Sequence, residues 1–589
     1  MERSYDNLSA KEVFQTLGAC VKGFRLASVL TPVFMILEVI MEMIIPMLMA
    51  SIIDEGVSVG NMNHIYTTGF KMIAAALFGL FAGVMGGRFG ALASTGLARN
   101  LRRDMYANIQ TFSFSNIDRF SSSGLVTRLT TDVTNVQNAY QMILRMFMRA
   151  PASLVSAVFM SLLISPKLAS IYIVAVFFLG GFLVFVMRRV TGYFRQVFEK
   201  YDELNESVEE NVSAIRVVKA FVRGGFENAR FSKAAENIYR LFVRAETMLI
   251  TNMPVMQFTV YACILSISYF GARLIVSDEL STGQLMSLLA YCMNILVSLM
   301  MLSIIFVMVS MSAASARRIT EVLREKPDIA EPERPVTEVK DGAVEFRNVS
   351  FSYGGNSEKA VLKNIDISIR SGETVGIVGG TGSGKTSLVN LISRLYDVNS
   401  GELLVGGVNV REYSLETLRN SVAVVLQKNE IFSGSILENL RWGKEDATME
   451  EVRSAAKAAC ADEFIERMEE GYDTWIEQGG SNISGGQKQR LCISRALLKS
   501  PRILILDDST SAVDTATDAK IRAAFREYIP EVTKLIIAQR ISSVKDADRI
   551  LVLDQGRVSG FDTHEALMES NGIYRDVYES QNGNGDFDE

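Results

Sequence analysis

The chain has 589 residues, too many for one core, so two or more domains are expected. It is 48% hydrophobic and still 21% charged, a blend that suggests a membrane half joined to a soluble half. A net charge of −6 forces no strongly basic face and argues against nucleic acid as a partner. Cys20, Cys263, Cys292, Cys460 and Cys492 show no CxxC and no paired spacing. They read as thiols of a reducing compartment, with neither disulfides nor a zinc site expected.

The first residues, MERSYDNLSAKEVFQ, are polar, so no cleavable signal peptide is expected. Up to about residue 315 come six apolar runs close to the ~20 residues that cross a bilayer. They lie at approximately 25–52, 66–94, 140–164, 168–189, 247–275 and 283–312. DEGVSVGNMNH, between the first two, has no Lys or Arg, whereas LARNLRRDMYANIQ after the second is basic. The positive-inside rule therefore places both termini in the cytoplasm. The connections after spans two and four keep a helical pattern, so those helices are expected to extend well into the cytosol.

Glu38 and Glu42 lie four apart inside the first span and share one helix face. A carboxylate at membrane depth must face protein or water. Two readings follow: attraction of a cationic substrate, or hydrogen bonding to neighbouring helices. The methionine-rich sixth span supports either an adaptable apolar surface or ordinary core filling. SNIDRFSSSGLVTRLTTDV (115–133) and ENVSAIRVVKAFVRGGFENARF (210–231) interrupt long helical patterns with small residues and an aromatic. Short helices there would dock into a soluble domain with Phe120 and Phe221 as anchors; the alternative is solvated turns.

Pro327, Pro332 and Pro335 mark an extended linker, placed at 316–342. A nucleotide domain is expected over 343–580, then an acidic tail over 581–589. AVEFRNVSFSY alternates as a half-buried strand. ETVGIVGGTGSGKTSLVNLISRL then runs from a buried strand through glycines into a helix. Within it Gly379, Gly384, Lys385 and Thr386 fit GxxxxGK[ST]. The whole loop, Gly379, Gly380, Thr381, Gly382, Ser383, Gly384, Lys385, Thr386 and Ser387, is the candidate ATP cradle. Its backbone N–H groups and the helix N-terminus suit phosphate. Lys385 reaches the outer phosphates and the Thr386 hydroxyl suits Mg²⁺. The apolar run ILILDDSTSAVD (503–514) delivers Asp507 as a second contact to the metal.

In NISGGQKQRLCISRALLKS, Ser484 and Gln487 stand at capping-box spacing before an amphipathic helix. Gly485 and Gly486 bare the backbone there, which makes a second phosphate-binding surface. One P-loop plus one extra phosphate surface implies two chains meeting head to tail, with each ATP between a P-loop and the opposite chain's helix.

With these motifs in order, the chain resembles a half-transporter of the ABC superfamily, of the exporter type. The fold implied is a membrane domain of six long helices followed by an α/β P-loop ATPase domain. The resemblance implies that Tyr353 stacks on adenine and that Gln427 senses Mg²⁺ and couples to the membrane helices. It also implies that Ser484–Gln487 form the signature, with Ile483 in place of the usual leucine, and that SAVD (511–514) is the D-loop. The location implied is the cell membrane, with the nucleotide domain cytoplasmic.

Two positions depart from the family pattern. The family's water-polarising glutamate is Asp508 here, one methylene or about 1.5 Å shorter, and a misplacement of about 1 Å can cost on the order of 10²-fold. The family's switch histidine is Gln539, which donates a hydrogen bond but carries no charge. The pairing resembles one half of bacterial heterodimeric exporters with a degenerate ATP site. The partner expected is a second, different half-transporter, and the substrate a small amphipathic or hydrophobic molecule. A homodimer with two slow sites, a lipid or peptide exporter, and an ATP-gated regulator are the rival readings.

Overall fold

The computed structural model describes residues 8–353, 359–507 and 515–582. It divides into two compact units. One is built on residues up to Gln110 together with Ser123–Glu325; the other on Thr111–Ser122 together with residues from Lys326 onward.

The first unit is helical. Its helices are α1 (Ala10–Ala19), α2 (Arg25–Ser51) and α3 (Met62–Ile109). After α4 (Phe114–Phe120), which belongs to the other unit, come α5 (Ser122–Thr127), α6 (Val133–Met142), α7 (Met148–Ile164) and α8 (Pro166–Ser213). The series closes with α9 (Ile215–Ala220), α10 (Gly224–Ile250), α11 (Asn252–Val276) and α12 (Thr282–Arg324). Their starts are written locally. Asn61 accepts the His64 N–H ahead of α3, Ser165 caps α8 with Pro166 in its first turn, and Ser281 and Gln284 form a capping box on α12.

Among the described residues, six stretches are long and apolar enough to cross a membrane: Arg25–Val57, Met62–Ile109, Ser122–Ile164, Pro166–Val190, Gly224–Val276 and Thr282–Leu302. Each contains or overlaps one of the six runs read from the sequence. Helices α3 and α8 have 48 residues each. At 1.5 Å per residue that is about 72 Å, more than twice a hydrocarbon core of ~30 Å. Large side chains such as Phe70, Phe177 and Phe258 face outward, as a lipid-facing surface requires.

The core of this unit gathers Val39, Met43, Tyr172, Ile267, Leu288 and Tyr291. A phenol in that environment must find an acceptor. Tyr172 donates to the Leu288 carbonyl at 2.5 Å and Tyr291 to the Met43 carbonyl at 2.8 Å. Helix α12 runs on to Arg324, into the segment read as linker, and Arg318 and Glu321 there pair with Asp132 and Arg128.

The second unit carries the sheets. Its strands are β1 (Val344–Phe351), β2 (Leu362–Ile369), β3 (Thr374–Gly379), β4 (Ser400–Val405), β5 (Val408–Asn409) and β6 (Val422–Val425). They continue with β7 (Gly434–Ser435), β8 (Trp475–Ile476), β9 (Ile503–Asp507), β10 (Thr533–Ile537), β11 (Arg549–Asp554) and β12 (Arg557–Asp562). One antiparallel sheet has the order β2-β1-β4-β5, and a mixed sheet has β12-β11-β3-β10-β9-β6. In the latter β11, β3, β10, β9 and β6 are parallel, and β12 is the antiparallel edge. Register pairs Ile537 with both Ile377 and Asp507. The segments leaving β3, β9 and β10 therefore emerge side by side at one carboxyl edge, where open α/β sheets bind ligands.

Candidate nucleotide-binding site

At that edge lies a cavity of about 480 Å³. Gly379, Gly380, Thr381, Gly382, Lys385 and Thr386 line it together with Gln427, Asp507 and Gln539. The sequence separates these residues by up to 160 positions; the parallel sheet brings them to one rim. Gly382 and Gly384 have φ of +80° and +99°, which L side chains rarely adopt. A Cβ on Gly384 would also lie 2.7 Å from Leu362. Lys385 Nζ donates to the Gly379 and Gly380 carbonyls at 2.8 and 2.9 Å, which centres its ammonium in the loop. Ser383 Oγ is buried without a hydrogen-bond partner among the described residues, an unmet group pointing to an anionic ligand in the loop.

Asp507 ends the wholly buried β9 at 3% exposure, and Thr386 and Gln427 complete a set of oxygen donors. Hard oxygen ligands of this kind suit Mg²⁺. Asp508 and the SAVD segment lie outside the described residues.

Tyr353 is half exposed beside this loop. Its hydroxyl bonds Ser387 Oγ at 2.8 Å, and its ring stands edge-on to Phe351 and Tyr396 at 4.9 and 5.1 Å. Tyr396 in turn donates to Asp118 of α4 at 2.7 Å, with Phe114 of α4 against its ring at 6.1 Å. Burial and then the Asp118 carboxylate push the Tyr396 phenol up, so it stays a donor at neutral pH. A continuous path therefore runs from α4 through Tyr396 and Tyr353 to Ser387 on the helix Lys385–Ile392.

Phe120 takes a different place from the one expected of an anchor. It is 7% exposed and stacks on Phe112 at 5.7 Å, bracing its own segment from within. Phe114 and Asp118 make the outward contacts. Phe221 does stand out, at 74% exposure beside the still barer Val222.

The helix Gly485–Leu498, whose start reads as the signature, begins with the capping box: Gln487 N–H donates to Ser484 Oγ at 3.2 Å and Ser484 N–H to Gln487 Oε1 at 2.9 Å. Ser484 and Gly485 are exposed, and none of Ser484–Gln487 lines the cavity of this chain.

In the membrane unit, Arg149 of α7 donates to both Glu38 and Glu42 at 2.9 Å. Gly83 of α3 approaches so closely that a Cβ there would lie 3.1 Å from the Glu38 carboxyl. The two acids are thus tied to a neighbouring helix through a shared guanidinium.

Sequence reasoning missed three features of the site. Ile573, Tyr574 and Val577 from the C-terminal helix Gly572–Asn582 line the cavity, and Gln581 of that helix reaches the Gln539 carbonyl. Tyr396 was also missed. GIYRDVYES carries an amphipathic stripe that predicts a helix, but no stripe tells what the helix covers.

A membrane unit of six spanning helices followed by a P-loop ATPase unit with an SGGQ helix start defines an ATP-driven membrane transporter. Residues 29–300 match the ABC transporter transmembrane region, and residues 362–511 match the ABC transporter ATPase domain. The chain is 37% identical to the uncharacterized ABC transporter ATP-binding protein YfiB of Bacillus subtilis, over 96% of this chain and 98% of that one. It is 29% identical to the ATP-dependent lipid A-core flippase of Haemophilus influenzae, over 98% of each. Its fold matches that of a bacterial Atm1-family ABC exporter with ATP bound, at a TM-score of 0.81 and 24% identity, covering 95% of this chain and 99% of that one. The chain belongs to the ABC transporter family: it is a multi-pass membrane protein whose ATPase domain binds and hydrolyses ATP to drive transport.

Proposed function

We propose that this chain is one half of a heterodimeric exporter of small amphipathic or hydrophobic molecules, and that its own ATP pocket is the slow one. The observation that carries the reading is a complete nucleotide cradle whose catalytic positions hold Asp508 and Gln539. Lys385 and the loop N–H groups bind the phosphates, and Tyr353 receives the adenine once its ring is free to stack. Thr386, Gln427 and Asp507 would hold Mg²⁺, which when bound supplies a Lewis acid on the phosphate oxygens. Asp508 is too short to place water well, so ATP stays.

The exposed Ser484–Gln487 start belongs to the partner's pocket rather than to this chain's. Its bared N–H groups and cap stabilise the γ-phosphate held by the partner's P-loop, where a glutamate polarises water. Opening and closing of that interface moves the membrane helices through α4 on this chain's own unit. The exposed Phe221 segment would do the same on the partner's. Both termini and the ATPase unit lie in the cytoplasm, at the cell membrane. Export of a lipid is the second reading, favoured by the flippase among the relatives.

The test compares two variants in the assembled transporter. Asp508→Asn should lower ATPase only modestly, and Gly485→Val should nearly abolish it. Equal losses, or a chain purified alone as a homodimer with brisk turnover, would contradict the assignment.

A further inference from the structure

We propose that Gln581 is a positioning residue for the switch loop, pairing with the backbone on both sides of Arg540 so that Gln539 is held at the cavity rim. This rests on the reading of the Lys385 pocket as the ATP site. Gln581 Nε2 donates to the Gln539 carbonyl at 2.8 Å, and the Ile541 N–H donates to Gln581 Oε1 at 2.8 Å. Arg540 between them is extended, at φ −95° and ψ 124°. An extended residue presents the preceding C=O and the following N–H to the same side, as a strand does to its neighbour. The side-chain amide therefore acts as a one-residue strand partner for a segment that has just left the sheet, since β10 ends at Ile537. Without it, the Gln539 carbonyl and the Ile541 N–H at the rim would each lose this bond.

The helix that carries Gln581 is fixed at its other end. Asn571 Oδ1 accepts the Tyr574 N–H at 2.9 Å, and the Tyr574 hydroxyl bonds His564 Nδ1 at 2.7 Å. Tyr574 is buried, and Tyr578 packs on the His564 ring at 5.2 Å. Tyr574, Val577 and Gln581 recur at i, i+3 and i+7, one face of one helix. Two of the three line the cavity. The helix is thus a strut between the His564 turn and the switch loop, with the nucleotide cavity along its side. Loss of the Gln581 bonds frees the loop after β10, moves Gln539 off the rim and lets nucleotide leave faster, while the P-loop contacts that capture it remain.

The experiment uses the full-length transporter with its partner subunit and a fluorescent ATP analogue. Gln581→Met keeps length and removes both bonds, Gln581→Glu keeps the acceptor for Ile541, and Arg575→Ala is the control on the same helix. Dissociation from the Lys385 pocket should speed up about fivefold or more in Gln581→Met, the factor expected for loss of one ordinary hydrogen bond. Amide exchange at Ile541 should rise in Gln581→Met and stay near the unmodified level in Gln581→Glu. Unchanged dissociation and unchanged Ile541 exchange in Gln581→Met would overturn the proposal, as would equal changes in Arg575→Ala. Lys385→Ala separates the two readings. If it leaves nucleotide capture intact, the ATP-site reading fails; if it abolishes capture while Gln581→Met changes nothing, only the positioning role fails.

Discussion

On the proposed reading, Asp508 and Gln539 limit turnover at the Lys385 pocket, each through a small chemical change from the glutamate and histidine of the family pattern. Restoring the longer acid with Asp508→Glu, together with Gln539→His, should raise hydrolysis at the Lys385 pocket by about ten- to a hundredfold. Single-turnover ATPase with the partner's site disabled would read it; no gain would mean that something other than these side chains limits the pocket. Arg149 is the matching position in the membrane. Arg149→Ala leaves Glu38 and Glu42 facing each other without their shared cation, a buried-charge penalty. Thermal stability should fall, and the double change Glu38→Gln with Glu42→Gln should restore it; no fall would show that the acids are solvated. The sequence showed the acids on one face, because four-residue spacing is local information. It did not show Arg149, more than a hundred positions away, because which helices become neighbours is settled by packing. The nucleotide loop was legible for the opposite reason: its glycines, lysine and threonine are consecutive, and the strand and helix on either side announce themselves.

At the scale of elements, α4 shows what a pattern can and cannot say. The interruption at 115–133 reads either as a docking segment, with Phe120 its conspicuous anchor, or as solvated turns. The ring instead stacks on Phe112, which precedes the helix, and Asp118 makes the outward bond to Tyr396. An aromatic is conspicuous in a sequence, whereas a single carboxylate among polar residues is not. Tyr396→Phe and Asp118→Asn should each leave basal ATPase near normal and weaken its stimulation by transported substrate severalfold. The double change should be no worse than either single, since the two side chains act through one bond. Additive losses would break the path. Strand β3, which carries the P-loop, is pinned at its start in a different way. Glu373 is pushed up by burial, but its bonds with Arg549, one of them 2.7 Å, hold its carboxyl below the ordinary 4.5. A lowered value in the folded state contributes stability above the ordinary carboxylate pKa and loses it as pH falls through the folded value. The ATPase unit should therefore lose stability below about pH 4.5, and Arg549→Met should flatten that part of the pH profile. A profile unchanged by Arg549→Met would assign the acid sensitivity to other groups.

Over the whole molecule, the two units were legible because their patterns differ in kind: long apolar runs against alternating strands and glycine turns. Tertiary helix neighbours and the C-terminal strut along the nucleotide cavity were not, since no local signal specifies them. The central claim concerns asymmetry in the assembled transporter. On the proposed reading, ATP held by Lys385 contributes its contacts through every state, while the interface that includes Ser484–Gln487 gains and loses them with each turnover. The most direct measurement follows labelled nucleotide at the Lys385 pocket and at the partner's pocket while substrate flux is recorded. The account predicts that label in the Lys385 pocket persists through many transport cycles while the partner's pocket exchanges once per cycle, and that Lys385→Ala impairs transport. If the Lys385 pocket empties once per turnover, or if its loss leaves flux untouched, the account is wrong.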